Sequence, residues 1–361
     1  MNYAQELERL VALVIREGAS DLHFAAGRNP HIRSAGVLVP LIKEKELTPE
    51  DTKGFAMALM PEEARKLFEV DHEVDFSYTY TPKDGTTVGK GARFRGSAFL
   101  QQGVISIALR YIPSTIRSLD ELTLPTALRD FAYKEQGFFL VVGPVGQGKS
   151  TTLAALIELI NQERAEHIIT IEDPIEYIFS KGKSLVDQRE VRFDTHDFHS
   201  GLRAMFRQDV NVALIGEMRD PETISAAVTA AETGHLVFST LHTNSASQTI
   251  DRIVDSFPAN QQGQIATQLA STLLGVFSQR LIPRISGGLV PAYELLINNN
   301  AVANLIRERR TSEINIVIET SSEQGMVDLN HSLADLVRRG EITSENANVH
   351  SLNPRGLERL I

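Results

Sequence analysis

The feature that most constrains this chain is the run Gly143-Pro144-Val145-Gly146-Gln147-Gly148-Lys149-Ser150, set between an apolar stretch, 138–142, and a helical one, 150–161. Three glycines, then lysine and a hydroxyl, between a strand and a helix is the spacing of a phosphate-binding P-loop. Glycines let backbone amides curl around phosphate oxygens, and the helix N-terminus adds partial positive charge. Lys149 is then placed to bridge the outer phosphates and the Ser150 hydroxyl to ligate magnesium. A glycine turn that binds nothing is the plain alternative, and the strand and helix on either side weigh against it.

From residue 124 on, runs that are apolar throughout recur at 138–142, 167–171, 212–215 and 235–240, separated by helical stretches. This is the pattern of a parallel sheet buried on both faces. The last third, from Asn260, reads as mostly helical, with helices over 262–279, 301–310 and 330–339 and a short hairpin through 287–296. The first hundred residues differ. A helix over 2–17 is followed by strand-like runs at 21–25, 31–34, 37–42, 74–80, 92–100 and 104–111, with a second helix over 49–68 opened by Thr48 as its cap. That predicts a small α+β domain over 1–112, a proline-bearing linker over 113–124 and an α/β domain over 125–361, in keeping with a length of 361 residues at roughly 150 per domain.

Composition closes several chemistries. With no cysteine there is no disulfide, thiolate zinc site, iron–sulfur cluster or cysteine nucleophile. A net charge of −10 supplies no overall field for nucleic acid or an anionic membrane. The densest basic group, Arg307, Arg309 and Arg310, reads as a solvated helix end. No apolar run approaches the roughly 18 residues of a membrane span. The amphipathic first helix is not a signal peptide, so the expectation is a cytoplasmic protein.

In open parallel sheets ligands lie beyond the carboxyl ends of the strands. Glu172, Asp173 and Glu176 follow one apolar run there, and Gly216, Glu217, Arg219 and Asp220 follow another. A strand ending in an acid suits a Walker B element, which brings a carboxylate to magnesium or to an attacking water from a rigid support. The usual aspartate is missing, because Gly216 stands before Glu217. Either Glu172 or Glu176 assists through water, or Ser150 and the phosphates hold the metal. Asp173, before Pro174, reads equally well as a helix cap, and Arg219 as a partner of Glu217 or Asp220.

His235 and His242 flank one strand and, at about 3.3 Å per residue, stand too far apart to share a metal. His242, at the carboxyl end, is placed to sense a γ-phosphate, whereas His235 reads as structural or interfacial. Arg93 and Arg95 share one strand face and Arg110 lies on the next strand, but spacing alone does not single them out among 36 basic residues.

Taken together these residues resemble the secretion-superfamily hexameric ATPases along nearly the whole chain. Ser20-Asp21-Leu22-His23 and Pro30-His31-Ile32-Arg33 resemble the amino-terminal domain, and Arg93-Phe94-Arg95 with Arg110-Tyr111-Ile112-Pro113 the arginine strands. Residues 143–151, from Gly143 to Thr151, resemble Walker A, 171–176 the Asp box, 214–220 an atypical Walker B and 233–243 the His box. The resemblance implies a RecA-like core with a PAS-like amino-terminal domain, a homo-hexamer binding ATP and magnesium between subunits, and ATP hydrolysis. Residues 143–151 would hold nucleotide, Ser150 the metal, and Glu217, Glu176, Glu172, His242, Arg93, Arg95 and Arg110 would serve catalysis.

Asn304-Leu305-Ile306-Arg307-Glu308 is similar to the carboxy-terminal motif of the pilus-retraction branch, although Arg309-Arg310 and Thr320-Ser321-Ser322 depart from it. The extension and type II secretion motors typically carry a tetracysteine element and a longer amino-terminal region, absent here. The resemblance therefore implies a motor for type IV pilus retraction and twitching motility, peripheral at the inner face of the cytoplasmic membrane. Its partners would be an inner-membrane platform protein and an accessory ATPase. A RecA-like DNA motor and a nucleotide-gated subunit without turnover remain as rivals. The acidic charge speaks against the first and Glu217 against the second.

Overall fold

The computed structural model describes residues 2–34, 37–81, 92–112 and 115–361. Its contacts fall into two units, Met1–Thr115 with Pro174–Ile178, and Ile116–Asp173 with Phe179–Ile361.

In the first unit, helix α1 (Tyr3–Arg16) buries Leu7, Leu10, Val11 and Val14, the stripe its 3-4 spacing foretells. An antiparallel sheet is built from β1 (Asp21–Phe24), β2 (His31–Ser34), β3 (Val37–Pro40), β4 (Glu73–Tyr80), β5 (Ala92–Gln101) and β6 (Val104–Ile112), in the order β3-β2-β1-β6-β5-β4. Thr48 caps α2 (Pro49–Leu59) in a full capping box with Asp51. The single helix expected over 49–68 is two. The α2 helix ends at Leu59 and α3 (Glu62–Asp71) begins after Pro61. Pro61 has no N–H to continue the ladder and forces Met60 into an extended conformation, ψ 128°.

The second unit is a seven-stranded sheet of β7 (Gly137–Val142), β8 (His167–Glu172), β9 (Leu185–Glu190), β10 (Val212–Ile215), β11 (Leu236–Leu241), β12 (Leu273–Pro283) and β13 (Leu289–Ile297), in the order β13-β12-β7-β11-β10-β8-β9. All neighbours pair parallel except β13, which runs antiparallel to β12. Every residue of β7, β10 and β11 is buried. Alternation divides them between two cores: Phe138, Leu140 and Val142 face one, Phe139 and Val141 the other. Helices α4 (Leu128–Ala132), α5 (Lys149–Glu163), α6 (Phe198–Met205), α7 (Pro221–Glu232), α8 (Ala246–Asp255) and α9 (Ala259–Thr272) complete the elements around the sheet, followed by further helices up to Pro354–Leu357.

Further expectations are corrected. The helix over 262–279 stops at Thr272, and the chain turns into β12, which fills the place between β7 and β13. Apolar residues at 269, 273, 276 and 277 satisfy a helical period, but parallel pairing with β7 along the core overrides it. At Gly275 a Cβ would lie 2.5 Å from the Leu296 carbonyl, a close approach that suits a strand. The hairpin expected over 287–296 is correspondingly longer. Of the segment 113–124 expected as a linker, Pro113 and Ser114 lie outside the described residues, and the rest is not a free connector. Leu119 and Leu124 are buried in the core with Phe139 and Leu156. Finally, β9 went unforeseen because Asp187, Gln188 and Arg189 break any apolar pattern on an edge strand.

Thr48→Ala removes the acceptor for the Asp51 N–H and should lower stability by about 1 kcal/mol, read as a reduced urea midpoint with unchanged slope.

Candidate functional site

The glycine run leaves the carboxyl end of β7 and enters α5 at Lys149. Gly143 adopts φ +144°, and a Cβ there would lie 2.4 Å from the Gln279 carbonyl oxygen of β12, so only glycine passes. The loop is then fastened to β12. The Gln147 Oε1 accepts the Leu281 N–H at 2.6 Å, and the Gln279 amide donates to the Gln147 carbonyl at 2.9 Å. The Thr152 hydroxyl donates to Gln279 Oε1 at 2.6 Å. Lys149 is only 7% exposed; its ammonium donates to the carbonyls of Gly143 and Pro144, each at 2.9 Å. Ser150 is exposed on the first turn of α5, which carries no acidic residue to oppose an anion. A cavity of about 440 Å³ adjoins Gly148, Thr151 and Thr152 and is bordered by Arg117, Leu281 and Arg284.

The next two strands beyond β7, β11 and β10, bring His242 and Glu217 to the same edge. The His242 Nδ1 lies 3.1 Å from the Lys149 ammonium and its Nε2 3.2 Å from Glu217 Oε1. An ammonium only donates, so Nδ1 accepts and Nε2 donates to the carboxylate. Arg219 binds the other Glu217 oxygen at 2.7 Å, the first of the two partners the sequence left open. Burial works to raise the Glu217 carboxyl, but the Arg219 guanidinium and His242 outweigh it and hold it below the usual carboxylate range. Where the aspartate is missing, the backbones approach closely. A Cβ on Gly216 would lie 3.3 Å from Glu172 Cα and 3.4 Å from the Ile171 carbonyl, where β10 closes against the end of β8.

Glu172 accepts from the Thr170 hydroxyl at 2.6 Å and from Gln188 at 3.4 Å. Asp173 caps nothing, since no helix follows it, whereas Asp220 caps α7 through the Thr223 N–H at 2.7 Å. His235 makes local contacts: its Nδ1 lies 3.0 Å from the Ala230 carbonyl and its ring meets Phe206 edge-on. Arg309 and Arg310 pair with Asp255, Glu308 and Glu313 at the surface.

The remaining expected residues belong to the first unit. Glu176 lies 3.8 Å from Arg95, which also meets Asp75 at 3.5 Å. Arg93 donates to the Ile175 carbonyl at 2.8 Å and to Ser77 at 2.7 Å. Arg110, directly opposite Arg95 across the strands, donates to Asp21 at 2.9 Å. Among the described residues no group of three or more histidines and carboxylates forms a metal cage.

Sequence reasoning missed Gln279 and, on β13, Glu294. The available signal was the polar trio Ser278-Gln279-Arg280 inside an otherwise apolar run. Glu294 is 7% exposed, and burial pushes its carboxyl up to about 7 against the hydrogen bond that Oε1 accepts from the Ala246 N–H at 2.6 Å.

A lysine-tipped glycine loop at a helix N-terminus, on the carboxyl edge of a parallel sheet, defines a P-loop α/β protein. The family model described as type II/IV secretion system protein matches residues 3–288, and the chain belongs to that family. It is 43% identical to the Pseudomonas aeruginosa type IV pilus retractation ATPase PilT, over 95% of this chain and 97% of that protein. It is 44% identical to a Neisseria gonorrhoeae twitching motility protein over 86% of this chain and 82% of that one. The crystal structure of the pilus retraction motor PilT with bound ADP superposes with a TM-score of 0.87 at 45% identity, covering 98% of each chain.

Glu294 binds its proton more tightly folded than unfolded, so the stability this contributes is complete below about pH 4.5 and is lost as pH rises through about 7. That amounts to about 3 kcal/mol. Glu294→Gln does not titrate, so melting temperatures at pH 5 and pH 8 should diverge in the variant's favour as pH rises; a constant difference would contradict the raised pKa.

Proposed function

We propose that this chain is an ATP-hydrolysing motor subunit that acts in a homo-hexamer to power type IV pilus retraction. The observation that carries the chemistry is the continuous contact from the P-loop ammonium of Lys149 through His242 to Glu217. The family likeness to PilT carries the cellular role. No helix among the described residues is long and apolar enough to cross a membrane, so action at the inner face of the cytoplasmic membrane would run through a platform protein, with an accessory ATPase as a further partner. In this reading the first unit is a PAS-like domain and the second a RecA-like core.

Nucleotide phosphates fit the loop. Backbone amides and the α5 N-terminus face them, Lys149 neutralises the β- and γ-oxygens, and the cavity beside Thr151 takes the rest of the nucleotide. Magnesium fits a hydroxyl donor with the remaining positions left to phosphate and water, so Ser150 would be its protein ligand. The ion supplies charge neutralisation on the transferred phosphoryl group. Glu217, fixed by Arg219 and His242, orients the water that attacks the γ-phosphorus in line as the bond to the ADP oxygen breaks. A base held this low in pKa serves mainly to polarise and align that water. His242 couples the position of this carboxylate to Lys149, and Glu172 or Glu176 assists with the metal or the water. Arg93, Arg95 and Arg110 are proposed to stabilise the phosphoryl charge of a neighbouring subunit.

Lys149→Ala should reduce ATP turnover below a tenth of the parent rate, a loss of more than about 1.4 kcal/mol of transition-state stabilisation. Glu217→Gln should still bind ATP while turning over at least about 100-fold more slowly. If Glu217→Gln is nearly unaffected while Glu176→Gln is inactive, the two acids exchange roles. For the arginines the measurement is subunit mixing. Chains with Lys149→Ala and chains with Arg93, Arg95 and Arg110 replaced are each expected to be inactive alone and to recover activity in mixed rings; absence of recovery removes the arginines from action across subunits.

A further inference from the structure

Strand β12 reaches past the end of β7, with Ser278 in register with Val142, so its last residues stand beside both loops of the site. Alternation sends its side chains to opposite faces. Gln279, on one face, holds the P-loop through Gln147 and Thr152. Ser278 and Arg280, on the other, hold the turn that follows His242. The Ser278 hydroxyl and the Arg280 guanidinium each donate to the Asn244 carbonyl at 3.1 Å. Glu294, directly opposite Ser278 on β13, accepts the Ala246 N–H at 2.6 Å where α8 begins. Inside the turn, the Asn244 N–H donates to Gln248, and the Thr243 and Thr249 hydroxyls bond each other at 2.7 Å. The segment 244–246 is therefore anchored at both ends to the β12–β13 hairpin, two residues from the imidazole that touches Lys149 and Glu217.

We propose that Ser278, Arg280 and Glu294 are positioning residues that place His242 between Lys149 and Glu217, so that the two faces of β12 serve different steps: Gln279 nucleotide binding, and this trio the alignment of Glu217. The proposal rests on the ATPase reading above. Burial is what gives the trio its grip. Glu294 and Arg280 are each almost inaccessible, so an acceptor removed from the Ala246 N–H is not replaced by water, and the turn must move to find another. Asp328 also faces Glu294 and pushes its carboxyl further up, while Arg280 opposes this. The amide of glutamine preserves an acceptor at the same place, whereas alanine does not.

The test is a double-mutant cycle on the full chain, reading steady-state ATP hydrolysis at pH 8 for the parent, Glu294→Ala, Glu294→Gln, His242→Ala and the Glu294→Ala/His242→Ala pair. Glu294→Ala is expected to lower kcat at least tenfold with the KM for ATP changed less than threefold, and Glu294→Gln to stay within twofold of the parent. In the His242→Ala background, Glu294→Ala should cost less than a further threefold, because the residue it acts through is already gone. Gln279→Ala should instead raise KM. Should Glu294→Ala fail to fold by circular dichroism, Ser278→Ala replaces it in the cycle, with an expected threefold loss of kcat that disappears in the His242→Ala background. A Glu294→Ala rate within twofold of the parent, or losses that multiply in the pair, overturns this inference alone. A parent chain without ATP turnover overturns the function proposed above and this inference with it.

Discussion

The ammonium of a lysine that is only 7% exposed has to be surrounded by acceptors, and the site is organised by how Lys149 finds them. Two of the acceptors are the carbonyls of Gly143 and Pro144, so the loop must bend back over the side chain that ends it. That bend brings Gly143 against the Gln279 backbone, with no room for a Cβ. A third contact, His242 Nδ1, comes from the far end of β11, and through its other nitrogen the same ring reaches Glu217. One buried charge thus ties the glycine loop, the histidine and the Glu217 carboxylate into a single arrangement.

The element that keeps this arrangement in place is β12. Its place between β7 and β13 pairs its backbone on both sides, and its period of two lets consecutive residues serve different loops. Phe277 and Leu281 share the face of Gln279, and Phe277 packs into the core that also holds Leu156 of α5. Val276 and Ile282 share the face of Ser278 and Arg280, and they pack into two other clusters. The polar trio is thus bracketed by apolar residues on both faces, of which Phe277, Val276 and Ile282 are buried, and this fixes its register. A one-residue slip would exchange the two sets of partners.

Much of the site was legible because its signals are local. The P-loop spacing, the apolar strands ending in Glu172 and Glu217, the pairing of Arg219 with its neighbour and the placing of His242 at a strand end each need only a few consecutive residues. So does the Thr48 cap. The failures have two origins. Pro61 was passed over inside an otherwise amphipathic stretch, although the restriction it places on Met60 is itself local. The residues 273–277 satisfy two periods at once, and nothing nearby decides between them. Leu119 and Leu124 sit in a segment without periodicity and are buried only because Phe139 and Leu156 wait for them in the folded core.

By itself the sequence determined where the glycine loop turns into a lysine-led helix, which strands are buried on both faces and where helices begin, because glycine dihedrals, apolar periods and caps act over a single turn or strand. Tertiary structure alone decided which residues complete the site. Lys149 meets His242 across 93 positions of chain and Thr152 meets Gln279 across 127, contacts fixed by the order in which strands enter the sheet. It also decided that 273–283 is a strand, since a segment with two acceptable periods takes the one that pairs its backbone groups with a neighbour already in place.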